Sequence, residues 1–290
     1  MASLPSAVPL SEIPLAPNPS GAPPNFINPP SLRGAVQGVG ITFAIVSLIL
    51  VLNRLTVIRR SSRPFGLDDA SVVLAWVIAA TYTGVACSRV YRHAWDSPVS
   101  FFDATYIKTI FFSYLIYGPM LFFAKASILI TYYRIFQPEI WLRICTYIFL
   151  FIMLMSYWFT VPLSFYYCMP RPNTGDPWDI WILLNCANMN SPGLVQAGFN
   201  IAADVAIFIL PLPVVFKLRM PLAKKCYTIA VFATGNFALA ASILTLYYRI
   251  QVVRGNDGVW AGAQTYICTF VFLVSPFKGK LQSLTGRQTN

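Results

Sequence analysis

The sequence predicts an all-α polytopic membrane protein with seven transmembrane helices. Composition is the first reason: 57% of the 290 residues are hydrophobic, the mean hydropathy is +0.61 and 11% are charged, against about 25% in a soluble domain. Length is the second reason, because a helix needs about 20 apolar residues to cross a hydrocarbon core of about 30 Å. Seven apolar segments occur in succession, at 34–52, 69–88, 110–133, 140–163, 193–216, 226–249 and 258–274.

Each segment is expected to be a helix, because backbone polar groups in lipid must be paired within the segment itself. Six segments meet the length requirement comfortably, whereas the seventh is shorter and contains Gln264 and Thr265. The third segment contains Pro119, and the fifth contains Pro211 and Pro213 near its end. Proline removes a helical hydrogen bond, so these positions can kink their helices.

The chain divides into three regions around these segments. Residues 1–33 carry nine prolines, which rule out helix and sheet and predict a disordered Pro-rich tail. Residues 34–277 form the seven-helix transmembrane domain, and residues 278–290 form a short tail. The connections between the segments are short, which excludes a sizeable soluble domain between them.

The positive charge predicts the orientation rather than a nucleic-acid partner. The net charge is +11, but most of it lies in alternate loops. Of the 21 basic residues, 13 lie on one predicted side of the membrane: in the loops after the first, third and fifth segments, at the start of the fourth segment and in the C-terminal tail. The opposite side has 7, and Lys125 lies within a helix. Because basic residues accumulate in cytoplasmic loops, we expect the N-terminus outside and the C-terminus in the cytosol.

Two cysteines in the predicted outer loop between the fourth and fifth helices are candidates for a disulfide. Cys168 and Cys186 flank a turn-rich segment in a compartment that permits disulfides. We predict that they bond to each other, with Cys87 as the alternative partner for one of them. No C-x-x-C motif occurs and His93 is the single histidine, so no metal site is expected.

Four polar side chains within the predicted helices form the candidate site. Lys125 lies in the third helix, Asn200 and Asp204 lie one turn apart in the fifth, and Asn236 lies in the sixth. A charge at a helix centre costs about 2.5–3.5 kcal/mol on insertion scales, so we expect all four to face the bundle interior. Lys125 and Asp204 could form a structural ion pair, the cluster could bind a ligand or act in catalysis, or Lys125 could extend towards the cytosol without a partner.

Several short motifs carry a family resemblance. In order they are RPFGLDD at 63–69, KASIL at 125–129, YRIF at 133–136, CMP at 168–170, NIAAD at 200–204, LPLP at 210–213 and GNF at 235–237. Their order and spacing resemble those of fungal integral membrane proteins of the rhodopsin-domain type. That family includes Pth-eleven-like receptors and the satratoxin-cluster membrane protein.

The resemblance implies a multi-pass fungal membrane protein. Because members of this family occur in biosynthetic gene clusters, the resemblance also implies a role in secondary metabolism. Relatives usually carry an acidic residue after a Trp in the last helix, whereas Trp260 is followed here by AGA and Gln264. Despite the family name, no cofactor is expected. Retinal would need a lysine in the body of the last helix, and Lys278 lies at its end.

Three functions are compatible with these features. The favoured one is a component of a secondary-metabolite pathway that acts with a lipophilic small molecule, either as an accessory protein or as an embedded enzyme that uses Asp204 as an acid or base. The alternative is a receptor-like sensor. The third is a transporter, suggested by similar segments at 127–135 and 242–250. The site would lie between the third, fifth and sixth helices, in either the plasma membrane or the endoplasmic reticulum.

Overall fold

The computed structural model describes residue 9 and residues 11–60, 65–135, 140–171, 178–210, 213, 239–255 and 257–268. This part of the chain is helical, and its only β-pairing is two isolated bridges. The helices are α1 (Arg33–Arg60), α2 (Leu67–Ser88), α3 (Ala104–Ile135), α4 (Ile140–Trp158), α5 (Thr160–Cys168), α6 (Ile180–Cys186), α7 (Asn190–Ile209), α8 (Leu239–Val253) and α9 (258–268). The predicted all-α class is therefore confirmed.

Five helical stretches of the described chain are long and apolar enough to cross a membrane. They are Arg33–Arg60, Leu67–Ser88, Ala104–Tyr133, Ile140–Cys168 and Ile180–Ile209. They correspond to the first five predicted segments. The sixth and seventh predicted segments are described only over 239–249 and 258–268, where they form parts of α8 and α9.

The predicted loop after the fourth segment is shorter than the sequence indicated. The fifth span begins at Ile180, not at 193, because Asp179 caps α6 by accepting a hydrogen bond from the backbone N–H of Trp181 at 3.1 Å. A 3₁₀ turn, Ala187–Met189, then joins α6 to α7. Cys168 and Cys186 consequently end α5 and α6, and the prediction that both lie in a loop was wrong.

The predicted disulfide between Cys168 and Cys186 is confirmed. Their Cα atoms are 4.5 Å apart, and both residues are buried. Met189 is buried with them, and Ile110 and Phe111 of α3 pack against the group. The bridge thus joins the end of α5 to the end of α6 beside α3. Cys87, the alternative partner, is a free cysteine.

The N-terminal segment runs along the connection between α2 and α3. As the prolines predict, residues 11–32 contain no helix, yet they are not detached from the bundle. The residues between the prolines have backbone N–H and C=O groups that can form hydrogen bonds. Their partners are backbone groups in the connection between α2 and α3. The backbone hydrogen bonds are Leu15 N–H to Ser97 O at 3.1 Å, Val99 N–H to Ile13 O at 2.9 Å and Leu32 N–H to Tyr91 O at 2.9 Å.

The two ends of the bundle carry different ionic contacts. We call the end where α1 begins the Arg33 end and the opposite end the Arg60 end. Near the Arg60 end, Arg54 of α1 bonds to both carboxylates that open α2: its Nη2 is 2.7 Å from Asp68 Oδ2, and its Nε is 2.7 Å from Asp69 Oδ1. At the Arg33 end, Nδ1 of His93 is 2.7 Å from Oδ2 of Asp257, which precedes α9.

The central helix α3 packs against α2, α4 and α5, and it approaches α4 closely at Gly118. A Cβ atom at this position would collide with the backbone oxygen of Tyr157 and lie 3.1 Å from Thr160 Oγ1. The helix continues through the adjacent Pro119. Glycine at 118 therefore allows the close contact that places Tyr157 beside the candidate site.

Candidate functional site

The structure brings together three of the four polar residues that the sequence singled out. Lys125 on α3 is fully buried, and Asn200 and Asp204 on α7 are 6% and 8% exposed. Asn236 lies outside the described residues. The site can therefore be built from the facing surfaces of α3 and α7, with α4 and α8 completing it.

An ion pair forms the centre of this site. Nζ of Lys125 lies 2.8 Å from Oδ1 of Asp204 and donates a second hydrogen bond, also of 2.8 Å, to the backbone oxygen of Asn200. The same ammonium group lies 5.7 Å from the ring centroid of Tyr157, within range of a cation–π interaction. Lys125 thus points into the bundle and not along its helix towards the cytosol.

A continuous chain of hydrogen bonds extends from the ion pair across four helices. The hydroxyl of Ser242 on α8 donates to Oδ2 of Asp204 at 2.6 Å and accepts from Nδ2 of Asn200 at 2.8 Å. Oδ1 of Asn200 accepts from the hydroxyl of Tyr157 on α4 at 2.8 Å. We call Lys125, Tyr157, Asn200, Asp204 and Ser242 the polar network.

The spacing of polar residues on α7 explains why they meet. Gln196, Asn200 and Asp204 follow one another at intervals of four and therefore lie on one helix face. All three are buried. Gln196 Nε2 extends the face towards the α4–α5 span by donating to Thr160 Oγ1 at 3.2 Å. The sequence reasoning missed Gln196, although the four-residue spacing before Asn200 was a usable signal.

Two residues of the polar network, Tyr157 and Ser242, were also missed by the sequence reasoning, and their signals were weaker than that of Gln196. Tyr157 lies within an aromatic-rich apolar segment, where one more tyrosine is unremarkable. Ser242 belongs to the segment 242–250 that resembles 127–135, but its hydroxyl carries no insertion penalty comparable with that of a charge. Neither position could be assigned to the site before the helices were placed against one another.

The arrangement keeps both charges engaged by protein groups. Each carboxylate oxygen of Asp204 accepts a hydrogen bond, one from Lys125 and one from Ser242. These hydrogen bonds matter because the free-energy cost of removing two charges from water is offset only when the pair has good geometry and additional hydrogen bonds. Each oxygen has a second lone pair, so a role of Asp204 as general acid or base would depend on access of the reacting atom to this buried carboxylate.

Within the described residues, no group of three or more His, Cys, Asp and Glu side chains could hold a metal ion. A retinal-like cofactor would need a lysine that can react with an aldehyde. The buried Lys125 is instead held by Asp204, and Lys278 lies outside the described residues.

Comparison with known proteins places these features in a fungal context. A family model described as the fungal rhodopsin domain matches residues 53–273. A SAT4 family membrane protein of Emericella nidulans is 32% identical over 197 residues, covering 63% of this chain and 50% of that protein, so the chain spans about half of this relative's length. No solved structure matches the chain.

A second relative aligns along nearly the whole chain. It is named Fugralins biosynthesis cluster protein 2, comes from Gibberella zeae and is 25% identical over 292 aligned positions. The alignment covers 94% of this chain and 71% of the relative.

Proposed function

Because the chain belongs to the fungal rhodopsin domain family, we propose that it is a membrane-embedded component of a secondary-metabolite pathway that acts with a lipophilic small molecule. One observation carries this proposal: the relative whose name places it in a biosynthesis cluster aligns over 94% of the chain. Five apolar spans, with Lys125, Asn200 and Asp204 buried between them, suit a substrate that partitions into the bilayer.

Within this role, we favour an accessory function over acid–base catalysis by Asp204. That carboxylate is buried and ion-paired with Lys125, whereas a general acid or base must be able to reach the reacting atom. The polar network is better suited to fix α3, α4, α7 and α8 against one another. The polar network would then hold these four helices in position around a region that binds the small molecule.

We further propose seven spans, with the Arg33 end outside and the C-terminus in the cytosol. Support comes from the excess of basic residues in the loops after the first, third and fifth predicted segments and in the C-terminal tail. A reporter that is glycosylated only in the lumen, fused after Asn290, should remain unmodified, while the same reporter before Met1 should be glycosylated. Glycosylation of the C-terminal fusion would reverse the proposed orientation.

The pathway role is tested by deleting the gene in its native fungus and profiling extracted metabolites by mass spectrometry. We expect at least one lipophilic product to disappear or to be replaced by a precursor, and the wild-type gene to restore it. An unchanged profile under conditions where the gene is transcribed would contradict the proposal.

The same strain separates an accessory role from the receptor-like alternative. A sensor acts upstream of gene expression, so its loss should lower transcripts of the synthase that makes the missing product. An accessory protein or enzyme acts on the product itself. Its loss should therefore leave those transcripts unchanged while the product falls.

A further inference from the structure

A second cation, partly buried, lies towards the Arg33 end, separate from the polar network. Arg249 on α8 is seven residues after Ser242, or about 10 Å along the helix axis. Its guanidinium carbon lies 4.9 Å from the ring centroid of Tyr117 on α3, within range of a cation–π interaction. A Cβ atom at Gly193 of α7 would collide with Nη1 of Arg249, so glycine leaves room for the guanidinium.

Arg249 has no carboxylate partner among the described residues. Seven of their eight carboxylates are engaged elsewhere, by pairing or hydrogen bonding, and the eighth, that of Glu12, is exposed in the N-terminal segment. The seven pair as follows: Asp68 and Asp69 with Arg54, Asp204 with Lys125, Asp257 with His93, Asp96 with Asn25, and Asp103 and Asp179 at helix starts. Within the same part of the chain, Nε of Arg249 is buried and has no hydrogen-bond acceptor. A buried donor of this kind requires an explanation, and an anion would supply both the charge and the acceptor.

The surroundings of Arg249 are aromatic and carry a second positive charge. The ring of Tyr82 on α2 lies 5.9 Å from that of Tyr117 and stacks on that of Tyr266 at 5.6 Å. The second charge is that of Arg89, which directly follows α2. Arg89 is held in place by Thr109 and Ser113 of α3.

Phenols in this region do not neutralise the two arginines. Burial raises the pKa of the hydroxyl of Tyr91, in the connection after α2, to about 12, and the group is therefore neutral at physiological pH. The region thus combines positive charge with flat apolar surfaces. An amphiphile with an anionic oxygen group and an aromatic or aliphatic body matches both properties.

We propose that Arg249, Tyr117 and Tyr82 bind the carboxylate end of a lipophilic carboxylic acid, with the guanidinium pairing with the carboxylate and the rings packing against the apolar body. This inference rests on the proposed function and names the chemical class of its small molecule. The phosphate of an anionic bilayer lipid shares the same chemistry, and the test separates the two sources.

The probe is dodecanoate, and its uncharged analogue is methyl dodecanoate. The full chain is reconstituted in nanodiscs of phosphatidylcholine, which adds no net charge, and thermal unfolding is followed as each probe is titrated. Because a ligand that binds only the folded state raises its stability, dodecanoate should raise the unfolding temperature with a saturable dose dependence. The ester should have little effect. Equal effects of acid and ester would overturn the proposal.

Arg249→Met should weaken dodecanoate binding at least tenfold, because it removes the charge and keeps an apolar side chain of similar length. Arg143→Met is the matched control: Arg143 also lies over a tyrosine ring, 5.3 Å from Tyr133, and hydrogen-bonds its hydroxyl, but towards the Arg60 end. The control should bind dodecanoate like the wild type. Equal affinities of the two variants would overturn the proposal.

Two further arms keep the result decisive. If Arg249→Met does not fold, Arg249→Gln keeps a polar side chain and removes the charge. It should also weaken dodecanoate binding at least tenfold, and unchanged affinity would overturn the proposal. In nanodiscs containing phosphatidylglycerol, stabilisation that depends on Arg249 without any effect of dodecanoate would assign the site to a lipid headgroup and overturn the proposal.

Failure of this inference is distinguishable from failure of the pathway role. If gene deletion abolishes a metabolite while dodecanoate and its ester act alike, the pathway role stands and the carboxylate site is wrong. If deletion leaves the metabolite profile unchanged while binding depends on Arg249, the site stands and the pathway role is wrong.

Discussion

Replacing Lys125 with methionine is expected to lower the yield of folded protein severely. The substitution leaves the carboxylate of Asp204, which is 8% exposed, without the ammonium group that lies 2.8 Å from it. Removing one partner of a buried ion pair costs about 3–5 kcal/mol, because the remaining charge stays buried and uncompensated. The yield is measured by size-exclusion chromatography of a fluorescent fusion, followed by thermal unfolding of the recovered protein.

The double variant Lys125→Met with Asp204→Leu should recover much of the lost yield. Well-packed apolar residues often replace a buried ion pair at little cost or with a gain, although Ser242 and Asn200 would each lose one partner. Arg143→Met serves as the control and should stay near wild-type yield, because it removes a cation from the same bundle without breaking an ion pair between described residues.

These variants, together with Asp204→Asn, decide between the structural and the catalytic interpretations of Asp204. A structural pair predicts low yield for either single change and recovery in the double variant. If Asp204 is a catalytic acid or base, Asp204→Asn should give a normal yield of folded protein but no metabolite. The double variant should then also fail to restore the metabolite. Normal yield and a normal metabolite profile for Asp204→Asn would contradict both interpretations.

The helices could be predicted because each apolar segment must satisfy its backbone internally. Their ends could not be predicted equally well, because hydropathy does not register capping. The early start of the fifth span depends on Asp179, whose side chain accepts from Trp181 N–H. The disulfide between Cys168 and Cys186 was predictable from their proximity in sequence and their common compartment, and the helical turns around them were not.

The site shows a similar division. Lys125, Asn200 and Asp204 were detectable because charged and amide groups are costly in lipid. Tyr157 and Ser242 became visible only when four helices were placed together, since neither residue type is unusual in a membrane span. Arg249 followed a tyrosine pair at a helix end, a pattern typical of the membrane interface, and only the fold brings its guanidinium over Tyr117.

Gly118→Ala is expected to destabilise the protein by about 1–3 kcal/mol, the range for overpacking, and towards its upper end. The added Cβ would collide with the backbone oxygen of Tyr157, and backbone cannot move aside as a flexible side chain can. Shifting α4 away from α3 would also strain the hydrogen bond between Tyr157 and Asn200. The change would thus reach the polar network without altering any of its residues.

Gly198→Ala on α7 is the matched control for Gly118→Ala. No atom of the described chain lies within 4 Å of a Cβ built there, and alanine is favoured over glycine within a helix by roughly 0.5–1 kcal/mol. The control should therefore unfold at the wild-type temperature or slightly above it, while Gly118→Ala unfolds well below. Equal unfolding temperatures for the two variants would mean that the close approach of α3 and α4 at Gly118 does not limit stability.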